Sequence, residues 1–315
     1  SFIMVNTSVT ETGESSAFIN FNSSLVGYWR FEDSGHTNSS NVSDFTSNSN
    51  NGSLVGFGCL IADCNLTGGA GGVASGFVSS GKRGRALAFD GENDFVNITD
   101  ANLLEPSTLT VEAWVRFNSL GTQHQIISKR SLAAGNVGYQ LAKGSNDKLD
   151  FLIDLGTPSN SSGSIGAVVA GRWYYVAAAW DGSTNRMYLD GALQTVNATD
   201  SGSVASTENL YFGRESSGNP FNGSIDEVKV WNRILNDTEI NASYQAGSYR
   251  LFRNFSGLPD ANYSFNVTVV DWAGGLFTND TRRVIVDTTL PLISFGLGSD
   301  ANGSGLSRNY IHLNV

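Results

Sequence analysis

An asparagine followed by any residue except proline and then by serine or threonine is the acceptor pattern for N-linked glycans, and this sequence carries it 17 times. The acceptors are Asn6, Asn22, Asn38, Asn41, Asn51, Asn65, Asn97, Asn160, Asn197, Asn222, Asn236, Asn241, Asn254, Asn262, Asn266, Asn279 and Asn302. A surface rich in Ser and Asn generates some of these by accident, but 31 asparagines would yield far fewer at random. Sequons act only where a chain meets the glycosylation machinery, on a secreted or surface-exposed protein. Cys59 and Cys64 enclose four residues. In an extracellular chain that pair reads as a small loop-closing disulfide. With no further cysteine and no nearby histidine it makes a poor zinc site.

The chain has 315 residues, room for one large sandwich and a second small domain. Charged residues are only 15% and proline is scarce, which suits an extracellular all-β protein. A net charge of −10 argues against a nucleic-acid partner, whose phosphates need Lys and Arg, and is compatible with cation binding. No run of 18 apolar residues is present, so no membrane span is expected in this chain. A chain beginning at Ser1 without a signal peptide is expected to be processed or part of something longer.

The elements that must position any site are strands. Gly171 to Gly191 holds two of them, Trp173 to Trp180 and Met187 to Leu189, bounded by the turn pairs Asp181-Gly182 and Asp190-Gly191. Trp173, Tyr175 and Ala177 fall on one face, Tyr174, Val176 and Ala178 on the other. Both faces are apolar, which places this strand inside a two-layer sandwich. Asn236, followed by Glu239, starts a helix ending near Gly247, with Ile240 and Tyr244 as its apolar face. From Leu66 to Gly81 small residues dominate and no packed element is read.

The hairpin resembles the centre of laminin-G-like jelly rolls, the concanavalin-like β-sandwiches. Further landmarks follow in order: Val26-Gly-Tyr-Trp-Arg-Phe31, Gly84 to Gly91, Leu109 to Trp114, Leu210-Tyr-Phe-Gly-Arg214 and Gly223 to Trp231. The resemblance spans about residues 25–247. Tyr263 to Val270, Asp271-Trp-Ala-Gly-Gly275 and Arg282 to Val286 resemble the last strands of an immunoglobulin-like domain of bacterial or archaeal cell-surface repeat proteins. Together these imply an all-β fold: a laminin-G-like jelly-roll sandwich at 25–247, inserted into a small immunoglobulin-like β-sandwich made from 1–24 and 248–290. Residues 291–315 read as a linker and strands donated to the next unit, since an immunoglobulin-like domain needs about seven strands. A simple fragment is the alternative.

The jelly-roll resemblance also implies a calcium site. Glu32 matches the acid after the first strand, Asp44, Asn48 and Asn51 match an acidic loop, and Asp226 matches the late acidic strand. Calcium takes such oxygen donors, though Asn51 stands where the family has an acid; the alternative is an ordinary hydrogen-bonded loop. Glucanases of this fold use E-x-D-x-x-E strands, absent here; Glu92-Asn-Asp94 comes nearest and reads as a turn. His36, His124 and His312 stand without a recognisable nucleophile. No enzyme is expected. Trp272 and Phe221 are loop aromatics that could stack on sugars, or pack locally. The sequence reading is a glycosylated extracellular, cell-surface subunit that polymerises head-to-tail with copies of itself by strand complementation. The alternative is a carbohydrate-binding, lectin-like module contacting surface glycans.

Overall fold

The computed structural model describes residues 2–9, 15–32, 40–58, 75–130, 137–156, 160–163, 166–198, 201–216, 218–245 and 249–288. Cys59, Cys64 and residues 292–315, on which the disulfide and strand-donation readings rest, lie outside them.

Two antiparallel sheets face one another. The first runs Ala192–Ala198, Thr184–Leu189, Trp173–Trp180, Leu109–Phe117, Asn222–Trp231, Ala86–Asp90 and Gly76–Val78, with Leu25–Trp29 also paired to Asn222–Trp231. The second runs Asn160–Gly163, Leu149–Leu155, Val137–Lys143, His124–Arg130, Leu210–Phe212, Phe95–Ile98, Gly52–Val55 and Asn41–Val42. Trp29, Leu109, Val111, Tyr174, Val176 and Trp180 are among the side chains filling the space between them. This is the concanavalin-like jelly-roll sandwich that the central hairpin implied.

The two apolar faces of Trp173–Trp180 go where their alternation sends them. Tyr174, Val176 and Ala178 enter the core between the sheets. Tyr175, Ala177 and Ala179 face outward, where Phe18, Leu235 and Ile240 cover them. The cover is the helix Asp237–Tyr244 together with the strand Ser15–Phe21. Asn236 caps the helix as the sequence indicated: its side chain accepts from Glu239 N at 2.8 Å, and Asn236 N donates to Glu239 Oε2 at 3.1 Å. Arg233 ties this end down, donating to Glu239 Oε1 at 2.7 Å and to the Ile19 carbonyl at 2.9 Å.

Residues on either side of the jelly roll build a smaller unit. Phe2–Val9 pairs with Tyr249–Ser256, and Ser15–Phe21 pairs with Ala261–Asp271, which also pairs with Leu276–Thr278 and Arg282–Val286. Ile3, Val5, Ile19, Phe21, Phe255 and Val267 form its core. Several strands went unread in the sequence, Gly76–Val78 and Tyr249–Ser256 among them. Gly76–Val78 lies in the stretch of small residues, where Phe77 alone supplies the buried anchor. Tyr249–Ser256 has no clean alternation and is held as a strand by pairing with Phe2–Val9.

Phe18 packs edge-on against both Tyr28 and Trp231, at 5.6 Å each, and so joins the small unit to the sandwich. Phe18→Ala removes that ring from a buried site and is expected to cost about 3–5 kcal/mol of stability. Urea melts measure this, and a loss under about 1 kcal/mol would contradict the packing role.

Candidate functional site

The loop between Asp44 and Asn51 is organised by one carboxylate. Asp44 Oδ1 accepts from Tyr28 N at 3.0 Å and Thr46 N at 2.9 Å; Oδ2 accepts from Thr46 Oγ1 and Asn50 N, both at 2.9 Å. Asn51 Oδ1 accepts from Asp44 N at 2.9 Å. Asn48 and Asn50 donate from their amides to the Val26 carbonyl, at 3.0 and 2.9 Å. The loop is thereby pinned to the strand Leu25–Trp29, with Phe45 projecting at 56% exposure.

A second group forms where Asn222–Trp231 bulges. The register against Leu109–Phe117 shifts between Asp226 and Lys229, and Glu227 takes φ +52°, unusual for a residue with a Cβ. Asp226 Oδ2 accepts from the amides of Lys82 and Arg83, at 2.8 and 2.9 Å. Glu227 accepts from the Tyr28 hydroxyl and lies 3.5 Å from Arg30 Nε. Arg30 also donates to the Gly274 carbonyl, and Glu32 accepts from Arg85 N at 2.8 Å. Burial, reinforced by the charge of Glu227, holds the Asp226 carboxyl well above its ordinary range, and burial also raises Glu32.

The five expected calcium ligands fall into two groups: Asp44, Asn48 and Asn51 on the loop, and Glu32 and Asp226 beside the bulge, where Arg30 also lies. Among the described residues no three His, Cys, Asp or Glu side chains are placed to hold a metal ion.

Between the loop and the small unit lies a cleft of 310 Å³. Phe18 and Tyr28 form its apolar base; Asn20, Thr46, Asn48 and Asn266 supply neutral polar groups; Phe45 stands at its mouth. Among the described residues the Tyr28 phenol is the one ionisable group in its lining, with Lys229 Nζ behind the Phe18 and Tyr28 rings at 5.1 and 5.0 Å. Asn266 Oδ1 is buried without a hydrogen-bond partner. The volume is at the lower end of the ~300–1,000 Å³ usual for ligand sites. Sequence reasoning missed the cleft because its walls come from segments some 200 residues apart.

The other candidates divide. Trp272 is 64% exposed at the tip of a turn, whereas Phe221 is fully buried in the sandwich core and cannot meet a sugar. His124 is buried, its Nδ1 set against the Pro220 carbonyl at 2.8 Å, and burial lowers its pKa; His36 and His312 lie outside the described residues. Among the sequons, Asn22, Asn41, Asn51, Asn197, Asn241, Asn254 and Asn262 are exposed. Asn97, Asn222, Asn236, Asn266 and Asn279 are half-buried, and Asn236 and Asn279 accept backbone hydrogen bonds through Oδ1. Asn38, Asn65 and Asn302 lie outside the described residues, and the side chains of Asn6 and Asn160 are not described.

Residues 90–241 match the family described as the concanavalin A-like lectin/glucanases superfamily. No curated protein matches the chain. Among solved structures, domain 4 of AbnA, an extracellular arabinanase from Geobacillus stearothermophilus in complex with arabinotriose, aligns at TM-score 0.53 and 17% identity, covering 74% of this chain and all of that one. The binding domain of Paraclostridial Mosquitocidal Protein 1 aligns at 0.52 and 12%, covering 71% of this chain and 52% of that one. The binding domain of botulinum neurotoxin serotype G aligns at 0.50 and 14%, covering 70% and 50%. The chain thus spans about half the length of the toxin domains. At these identities the likeness is one of fold.

The raised carboxyls make stability depend on pH. In the unfolded chain Asp226 and Glu32 return to about 4. Above that value the folded state binds more protons than the unfolded chain, so stability falls as pH rises through the raised folded values. Asp226→Asn keeps an oxygen for the Lys82 and Arg83 amides and removes one titration. Its unfolding free energy should decline less steeply as pH rises above about 4, and an unchanged slope in denaturant melts would exclude the mechanism.

Proposed function

We propose that this chain is a non-catalytic, lectin-like binding module of an extracellular protein, and that its ligand is a neutral saccharide seated in the cleft between the sandwich and the small unit. The carrying observation is the cleft's lining. Hydroxyl-rich sugars need donors and acceptors without charge, and Asn20, Thr46, Asn48 and Asn266 offer them. Phe45, exposed at the mouth with the Arg30 guanidinium 5.1 Å from its ring centroid, is the aromatic side chain available to the apolar side of a pyranose or furanose. The partnerless Asn266 Oδ1 is an acceptor that a sugar hydroxyl would satisfy. The similar arabinanase domain was solved with arabinotriose, which supports a neutral oligosaccharide as ligand, and the similar toxin domains are binding domains, which supports a binding role. An extracellular location also agrees with the excess of sequons, seven of them exposed. Intact mass from the native source should accordingly exceed 33.5 kDa.

Titration calorimetry against neutral oligosaccharides, arabinotriose included, tests the cleft. Phe45→Ala and Asn266→Ala should each weaken binding about tenfold, roughly 1.4 kcal/mol, without moving the melting temperature of the exposed-site variant. Absence of binding across the panel, or full affinity in Phe45→Ala, would refute the reading.

A second reading, a surface filament assembled from copies of the chain, is favoured by a groove of 450 Å³ in the small unit. Met4, Val5, Phe265, Val267 and Val284 line it, beside a sheet of only two strands among the described residues. In this reading the small unit is immunoglobulin-like, and residues 292–315 of one copy enter the groove of the next, Ile311, Leu313 and Val315 facing inward. Size-exclusion chromatography with light scattering should show concentration-dependent oligomers for the full chain and none for residues 1–290. A monomer at every concentration would dismiss the filament.

A further inference from the structure

Lys129 points inward. It stands opposite the core residue Tyr139 where His124–Arg130 pairs with Val137–Lys143, and its side chain is fully buried. A lysine seldom goes so deep without partners, because water no longer supports its charge. The partners come from the connection that follows Phe95–Ile98, where Asp100 and Glu105 flank the turn Asn102–Leu104. Lys129 Nζ donates to Asp100 Oδ1 at 2.5 Å, and to the carbonyls of Glu208 and Ser206 at 2.6 and 3.1 Å. Glu105 Oε1 lies 2.7 Å from the same nitrogen.

One ammonium thus meets two carboxyl groups, and the two are not alike. Asp100 is fixed from behind, its own amide donating to Asn209 Oδ1 at 3.0 Å, and its side chain is 32% exposed. Glu105 is only 10% exposed, and its Oε1 makes no hydrogen bond despite its closeness to Nζ. Glu105 also reaches Asp100. Burial works upward on the Asp100 carboxyl, but hydrogen bonds with Lys129 and Glu105 hold it below its ordinary range. Tyr139 and Leu104 close the inner side, the Tyr139 hydroxyl donating to the Leu104 carbonyl at 3.0 Å.

An amine, a carboxyl carbon and a group able to carry a proton between them are therefore in contact. We propose that Lys129 and Asp100 condense into a side-chain amide, an isopeptide bond, with Glu105 as the proton carrier. The reaction balances within these three groups. Glu105 takes one proton from Nζ, and the freed lone pair attacks the Asp100 carboxyl carbon. As the C–N bond forms, the C–O bond to one Asp100 oxygen breaks. That oxygen takes the proton from Glu105 and a second from Nζ, and leaves as water. Glu105 ends as it began, within the reach a general base needs. Holding the groups in contact supplies the orientation that the same reaction lacks in free solution. Condensation also replaces a buried charge pair, costly to desolvate, with a neutral amide. The exposed edge of Asp100 gives the water a way out. None of these residues lines the cleft or the groove of the small unit.

Intact mass of the full chain tests this, on protein made in a host that adds no glycans and reduced before measurement. The mass should fall one water short of the 33.5 kDa sequence. Tandem mass spectrometry of a digest should show the peptides carrying residues 100 and 129 as one branched species. Glu105→Gln cannot take up the proton, and should fold yet regain the full mass. Asp100→Ala, at the more exposed position, should also regain it, and covers the case in which Glu105→Gln does not fold. A full sequence mass in the folded, unsubstituted chain would overturn the proposal. So would a lost water placed at other residues, or a cross-link undiminished in Glu105→Gln.

Discussion

A strand that is apolar on both faces cannot leave either in water, and the architecture follows from that constraint. Trp173–Trp180 and its neighbour Leu109–Phe117 need two covers. The eight-strand sheet supplies one, and the helix with Ser15–Phe21 supplies the other. Burying a large side chain is worth about 1.5–3 kcal/mol, so Tyr175, Trp231, Tyr188 and Phe18 together make the outer cover a substantial part of the fold rather than an ornament. The cleft lies along its edge, where Phe18 and Tyr28 form the apolar base.

Polar groups inside that cover are satisfied one by one. Glu112 is fully buried, yet it accepts from Trp231 Nε1 at 2.7 Å and from the Tyr175 hydroxyl, with Lys229 Nζ at 3.9 Å. The bulge at Asp226–Glu227 works similarly. By adding residues on one side of the ladder it turns two carboxyl groups toward backbone amides, Tyr28 and Arg30. Unpaired, either group would be costly in so dry a place. These networks fix how the first strand, the late strand and the turn at Gly274 meet.

Much of this was legible in the sequence where the signal is local. The period-two alternation of Trp173–Trp180 and the Asn236–Glu239 capping box each act within a few residues, and the structure shows both. What was not legible depends on partners distant in sequence. The loop at Asp44–Asn51 has calcium-like spacing, and no local signal showed that its side chains also bond Tyr28, Val26 and the loop's own amides. Phe221 reads as a loop aromatic, yet it is drawn into the core against Phe89 and Phe117. The cleft joins Phe45 to Asn266, and no spacing rule connects residues so far apart.

The pairing of Ser15–Phe21 with Ala261–Asp271 has a mechanical consequence. Chain leaves the small unit after Phe21 and returns to it at Tyr249, and Asn22 N donates to the Ser264 carbonyl at 2.6 Å where it leaves. Tension applied between residues 2 and 286 therefore runs across the ladders joining Phe2–Val9 to Tyr249–Ser256 and Ser15–Phe21 to Ala261–Asp271. While those ladders hold, the load bypasses the jelly roll, which hangs beside the line of force as an unstressed side loop of more than two hundred residues. A jelly roll mounted this way keeps its shape while its scaffold is pulled.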